Sequence, residues 1–268
     1  TINNNVHGIG TGPILFTSFA FDPEEISILV IPEVVIGQKN GKSWITWIGK
    51  TTQPNINKII NSSHSGKITW ENNSIDEEKW QQQVSQAITE IKSGRLEKVV
   101  LARALTANST SEINVNDLLQ RLEIDYPSTW VFLDDGLIGA TPELLVRLSK
   151  SMITSRVLAG TIQKTGNEER DLALAASLAK SSKDLEEHEY AVKSVADSLA
   201  PFCSSTNVPE SPFVLHLSNV MHLATDVTGV LNDSTKQADI FTLIENLHPS
   251  AAVCGTPTED AKKLISEL

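Results

Sequence analysis

The chain has 268 residues, 40% of them hydrophobic and 21% charged, with a formal net charge of −11. That length gives one large domain or two small ones, with room for a sizeable core. The acidic balance excludes a nucleic-acid surface and a polybasic membrane-docking surface.

The first seventy or so residues are strand-rich, with Ser27–Ile31 and Ser43–Ile48 reading as strands. Residues Asn55–Ser65 are rich in Asn and Ser and read as a loop or hairpin connection. Trp80, Val84, Ala87, Ile88 and Ile91 recur at helical spacing, which predicts a helix over Asp76–Lys92 ended by Gly94. A strand follows over Leu96–Arg103, then a short helix over Asn116–Ile124. Thr129–Leu133 and Leu137–Ala140 flank an Asp134-Asp135-Gly136 turn and predict a hairpin. Leu144–Leu148 and Met152–Leu158 read as a further strand pair. A helix is predicted over Asn167–Lys180. After a Ser181-Ser182 break, another covers Lys183–Phe202, with Leu185, His188, Val192, Val195, Leu199 and Phe202 on one stripe. Phe213–Leu231 reads as a long strand or a bent hairpin, and Ala238–Leu247 as a helix. A last helix starts near Pro257. Runs of strands separated by helices, with hairpin turns, favour an α+β fold.

Two cysteines, Cys203 and Cys254, lie far apart and make neither a metal motif nor a disulfide framework. They suit a reducing compartment, the cytoplasm. No run is long and apolar enough to span a membrane, and no signal peptide is visible. The chain starts at Thr1 and stops at Leu268 inside a predicted helix, so a fragment or processed chain is expected. An anionic ligand would need local attraction from a metal ion or a helix N-terminus.

Lys98 is the odd residue of Leu96–Arg103. Alternation puts Leu96, Lys98, Val100 and Ala102 on one side of the strand and Glu97, Val99, Leu101 and Arg103 on the other. An apolar site lowers a lysine's pKa and frees its amine as a base; the alternative is an edge-strand lysine with its ammonium in water. Asp184 and Glu187 are helix neighbours that suit a hard cation such as magnesium, or else simply complement the helix dipole. His188, on the apolar stripe, reads as a core histidine or a group behind the ligands. Thr256 as N-cap, Pro257 at N1 and Glu259 at N3 predict a capping box whose free N–H groups can hold an anion. Glu143, between a tight turn and Leu144-Leu145, suits a general acid with a raised pKa, or another cap. Gly160 and Thr161 end a strand where a ligand could approach the backbone. His222 is a pocket donor or a structural histidine.

In their order, Lys98–Arg103, Gly139–Glu143, Leu158–Thr161, Lys183–His188, Val220–Thr225 and Leu247–Pro249 through Gly255–Pro257 resemble the chorismate-utilising enzymes. That family includes anthranilate, aminodeoxychorismate, isochorismate and salicylate synthases. The resemblance runs from about Trp80 to the end. It makes residues 1–75 a variable, strand-rich N-terminal part of the same domain, and 76–268 a partial chorismate-binding catalytic core.

The resemblance implies an α+β fold of β-sheets packed face to face with helices outside, Mg2+ as cofactor, and chorismate as small-molecule substrate. It implies no nucleic acid or membrane partner, and a monomer. Within the family Lys98 falls on the base that activates water, where anthranilate synthases carry glutamine. Glu143 falls on the acid that protonates the departing C4 hydroxyl. Glu187 and Asp184 fall on magnesium ligands. Gly160, Thr161, His222, Ala252, Gly255 and Thr256 fall on substrate-lining positions. The Ala159 position is a nucleophilic lysine in aminodeoxychorismate synthases, so alanine argues against that branch. Ala252 and Val253 look like the isomerase-only branch.

The implied activity is isochorismate synthase, an isomerase feeding menaquinone or siderophore biosynthesis. Salicylate synthase and a non-catalytic remnant are the alternatives. Family members also continue past the position of Leu268 with further sheet, a second pair of magnesium-binding glutamates, and an arginine and a glycine-rich turn that grip the substrate. The expectation is therefore an incomplete cleft and an unpaired sheet edge.

Overall fold

A computed structural model describes residues 5–49, 66–72, 76–232 and 238–268. The expected Asn55–Ser65 connection lies outside them. The chain divides into two compact units, residues 1–63 with 132–139, and residues 64–131 with 140–268. Among the described residues no helix is long and apolar enough to cross a membrane.

The first unit holds two small antiparallel ladders. β1 (Phe16–Ser18) pairs with β2 (Ile28–Val30), and β3 (Val34–Lys39) pairs with β4 (Lys42–Trp47). The Asn40-Gly41 corner of the second ladder turns through positive φ at both residues, the geometry that matches strand twist in a two-residue hairpin. Sequence patterning found β2 and β4 but not their partners, because Phe16–Ser18 is too short to show a period.

The second unit is larger and carries every candidate site residue. It begins with β5 (Ile68–Asn72), α1 (Glu77–Lys92), β6 (Lys98–Val99), β7 (Leu105–Ser109) and α2 (Val115–Asp125). The expected helix over Asp76–Lys92 is α1, with the Asp76 carboxylate accepting from the Lys79 N–H as N-cap. A hairpin of β8 (Trp130–Asp134) and β9 (Leu137–Thr141) turns at Asp135-Gly136, and its tip belongs to the first unit.

The central sheet comes next. β10 (Leu144–Ser149) and β11 (Met152–Gln163) lead into α3 (Glu168–Leu178) and α4 (Ser182–Leu199). These are followed by β12 (Cys203–Asn207), β13 (Phe213–His216) and β14 (Val220–Leu231). The sheet order is β10-β11-β14-β12, with β13 also on β14. Ser181 caps α4, confirming the break between α3 and α4. Phe213–Leu231 is the bent hairpin of the two alternatives. β12 was not legible, since Cys203–Asn207 is a polar run without alternation.

The core follows from two periods. Ile153, Val157 and Ala159 on β11 alternate inward, and Ala191, Val192, Val195 and Leu199 form the helical stripe of α4. They meet Val227 of β14 with Leu243 and Leu247 of α5 (Ile240–Leu247). Truncating one of these fully buried leucines would cost about 2–5 kcal/mol. A second cluster joins Ala87 of α1, Leu96, Cys254 and two residues of α6 (Thr258–Glu267), Ala261 and Leu264. β6 pairs there with β15 (Gly255–Thr256).

Two expectations are corrected here. The strand expected over Leu96–Arg103 is only Lys98–Val99, because its partner ladder is only Gly255–Thr256. Alternation therefore does not run the length of the segment. Leu96, Val99 and Leu101 all reach the same apolar cluster, while Lys98 turns away from it. The expected capping box at Thr256 is also absent. Thr256 is engaged in strand pairing, α6 starts at Thr258, and no side chain caps it.

Candidate active site

Lys98 is the hub. Its side chain is 12% exposed, unlike a solvated edge lysine. The ammonium donates to the Ala251 carbonyl at 3.0 Å and lies 3.5 Å from a Glu187 carboxylate oxygen. Its two contacts are polar, so neither alternative offered by the strand pattern, an apolar site or an ammonium in water, describes it. Thr256 is its cross-strand partner, and such pairs project side chains to the same face. The Thr256 hydroxyl is buried with no hydrogen-bond partner among the described residues. A buried hydroxyl without a partner is costly, so the position suits a ligand or water that supplies one.

Gly255 makes this approach of backbones feasible. A Cβ there would collide with the Lys98 carbonyl oxygen and lie 2.7 Å from the Ala261 Cβ. The strand pair and α6 can meet only over a glycine.

Glu143 follows β9 and is half-buried, its N–H donating to the Thr141 hydroxyl at 3.2 Å. Burial pushes its carboxyl up to about 7, and the Lys98 charge works against that rise. Lys98 therefore acts electrostatically on two carboxyl groups, Glu143 and Glu187. An acid that keeps its proton near neutral pH beside a cationic amine is an acid–base pair in form.

The first two turns of α4 carry Asp184 and Glu187. Gly160 lets the first of them approach β11. It is the extra residue where the β11–β14 register shifts between Ala159 and Thr161, with φ of +74°. A Cβ at Gly160 would stand 3.0 Å from the Asp184 Cβ and 3.3 Å from Leu223 Cδ1. Ser181 and Asp184 bond reciprocally, the Asp184 N–H donating to the Ser181 hydroxyl at 3.3 Å and that hydroxyl donating to the Asp184 carboxylate. Asp184 is thus part of the helix cap as well as an acid facing β11. His188, 3% exposed, shares a 2.7 Å hydrogen bond with the Thr225 hydroxyl and pins α4 onto β14. Burial pushes its pKa below the ordinary value, opposed by the Ala159 carbonyl and by Glu187.

Just past the bulge, Thr161 and His222 share a hydrogen bond of 2.9 Å between the hydroxyl and Nδ1. Burial lowers the His222 pKa, opposed by the Gly160 backbone. The predicted residues thus form two groups, Lys98 with Glu143, Glu187, Gly255 and Thr256, and Gly160 with Asp184, Thr161 and His222. The N-terminal two turns of α4, which carry Asp184 and Glu187, join them. Ala252 is half-buried and packs against the apolar core, so the link from its segment to Lys98 is the neighbouring Ala251 carbonyl. A backbone acceptor leaves no mark on sequence, and no signal could have found it.

The profile of the family "chorismate binding enzyme" matches residues 1–268. The chain belongs to the chorismate-binding enzymes. It is 31% identical over 268 residues to the isochorismate synthase DhbC of Bacillus subtilis (strain 168), covering 96% of this chain and 63% of that protein. It is 33% identical over 198 residues to the isochorismate synthase MenF of the same organism, covering 72% of this chain and 41% of that protein. The crystal structure of DhbC from Bacillus anthracis superposes with a TM-score of 0.74 at 31% identity, over 95% of this chain and 65% of that one. The α+β fold is therefore that of its relatives, and the chain spans under two thirds of their length.

Within this member of the family the donor set fits a hard cation. Asp184 and Glu187 offer carboxylate oxygens three positions apart on one helix face, and the Glu187 side chain is 39% exposed. Magnesium takes one or two carboxylates and keeps waters or substrate oxygens for the rest. Among the described residues no three His, Cys, Asp or Glu side chains gather closely enough to hold a metal alone.

Proposed function

We propose that the protein carrying this chain is an isochorismate synthase, converting chorismate to isochorismate with magnesium. The observation that carries the reading is Lys98. This enclosed amine contacts Glu187 and acts on Glu143, whose carboxyl stays protonated up to about neutral pH.

Glu187 and Asp184 would hold the metal, which when bound would supply positive charge for a substrate carboxylate. Lys98, in its neutral form, takes a proton from a water molecule as that water bonds to C2 of the ring. The ring double bonds shift, and the C4–O bond breaks. Glu143 donates its proton to the departing hydroxyl, which leaves as water. One water enters and one leaves, so the substrate is isomerised. Base and acid then exchange one proton through solvent to reset. The Thr256 hydroxyl, on the cross-strand partner of Lys98 and without a hydrogen-bond partner among the described residues, could bond a substrate or water oxygen. Gly160, Thr161, His222 and the Ala252 segment would line the rest of the cleft.

The segment Ser250-Ala251-Ala252-Val253-Cys254 offers no hydroxyl at its centre, which favours isochorismate over salicylate as the product. Relatives of both the DhbC and MenF kinds support a menaquinone or siderophore role for that product. Two separated cysteines suit the cytoplasm, and the family resemblance suits a monomer.

The test is a product assay with chorismate and Mg2+, read by chromatography and by a coupled pyruvate assay. Isochorismate without pyruvate supports the reading. Salicylate with pyruvate would make the protein a salicylate synthase. Bound but unconverted chorismate would make it a non-catalytic binder.

A further inference from the structure

We propose that Lys98 and a divalent cation compete for the Glu187 carboxylate, so that the ion pair occupies the metal position until a cation displaces it. The inference rests on the reading of Glu187 as a metal ligand.

Both partners are held from behind. The Lys98 ammonium is tethered by its 3.0 Å bond to the carbonyl of Ala251, a residue 1% exposed, and its backbone lies in the β6–β15 ladder. The lysine cannot follow a carboxylate that moves away without giving up that bond. Glu187 sits on a helix whose position is set by the Ser181 cap and by the bond between its neighbour His188 and Thr225. Only the Glu187 side chain, 39% exposed against 12% for Lys98, has room to change rotamer. At 3.5 Å the pair is an ion pair at the loose end of hydrogen-bond reach, which a better cation can replace.

A carboxylate oxygen bound to a divalent ion at about 2.0–2.1 Å cannot also sit against an ammonium without strong repulsion between the two cations. Occupancy of the oxygen that faces Lys98 is therefore exclusive. With no cation bound, Lys98 neutralises Glu187. With the cation bound, Glu187 turns to it, and the Lys98 ammonium loses its carboxylate partner while keeping its bond to the Ala251 carbonyl. Metal loading and release of the amine are one event.

The test measures cation affinity directly, without turnover. Mn2+ is titrated into the wild-type protein and into Lys98→Met, Lys98→Gln, Lys98→Arg and Glu187→Gln, with free Mn2+ read by electron paramagnetic resonance. Thermal melting checks that each variant is folded, and the Met and Gln variants cover each other. Either neutral variant should bind Mn2+ on the order of tenfold more tightly than wild type. Lys98→Arg should stay near wild type, and Glu187→Gln should lose the site. Unchanged or weaker binding in a folded neutral variant, with Glu187→Gln still losing the site, overturns the competition alone. Wild-type binding in Glu187→Gln, or no binding in any protein, overturns the metal reading beneath it as well.

Discussion

The Lys98 ammonium opposes the burial that pushes the Glu143 carboxyl up to about 7. The burial, only partly offset by Lys98, makes Glu143 a measurable contributor to pH-dependent stability. Its folded value lies above the ordinary 4.5, so the folded protein keeps a proton that the unfolded chain releases. Stability must therefore fall as pH rises from about 4.5 to about 7, and level off beyond. A half-exposed group is partly screened, so the loss is on the order of 1–2 kcal/mol. Urea denaturation at pH 5 and pH 8 should show that loss in wild type and not in Glu143→Gln. Equal slopes in the two proteins would refute the burial argument.

Turnover should depend on both members of the pair. Lys98→Ala and Glu143→Gln should each lower isochorismate formation by about 10²–10⁴-fold, the usual range for a lost general acid or base. Circular dichroism should be unchanged, because neither residue belongs to an apolar core cluster. Initial rates at saturating chorismate are the measurement. Near-wild-type turnover in either variant removes that residue from the mechanism.

Gly160→Ala should be costly out of proportion to its size. The residue sits at φ +74°, and its new methyl would stand 3.0 Å from the Asp184 Cβ. Left-handed backbone costs an alanine about 1–2 kcal/mol, before any shift of α4. Denaturant unfolding should show at least that loss, and Mn2+ affinity should weaken as Asp184 moves. An unchanged midpoint would mean that the bulge relaxes freely.

The His188–Thr225 bond can be isolated by a double-mutant cycle of His188→Ala and Thr225→Val. Each single change should destabilise by about 1–3 kcal/mol, since it leaves a buried polar group or a void. The double mutant should lose less than the sum by about 0.5–1.5 kcal/mol. Strict additivity in equilibrium unfolding would show that the two side chains do not depend on each other.

Much of the frame was legible because its signals are local. Asp76 and Gly94 bound α1, Ser181 separates α3 from α4, and Asp135-Gly136 turns a hairpin. In each case the residues that decide the structure are within a few positions of one another. The same logic failed at Thr256, where a local capping pattern was overridden by pairing with Lys98, a residue far away in the chain. It failed again over Leu96–Arg103, where a strand's length depends on its partner and not on its own composition.

By itself, the amino-acid sequence determined the fold class, the main helices and the β8–β9 hairpin, and it named the side chains proposed for acid–base chemistry. Spacing and residue type are local properties of the chain. Only the tertiary structure decided what Lys98 touches. Its partner carbonyl at Ala251 is 153 positions away, and the Glu187 carboxylate arrives on a helix positioned by the Gly160 bulge and the His188–Thr225 bond. Contacts of that range depend on how elements pack, and backbone acceptors have no sequence signature to read.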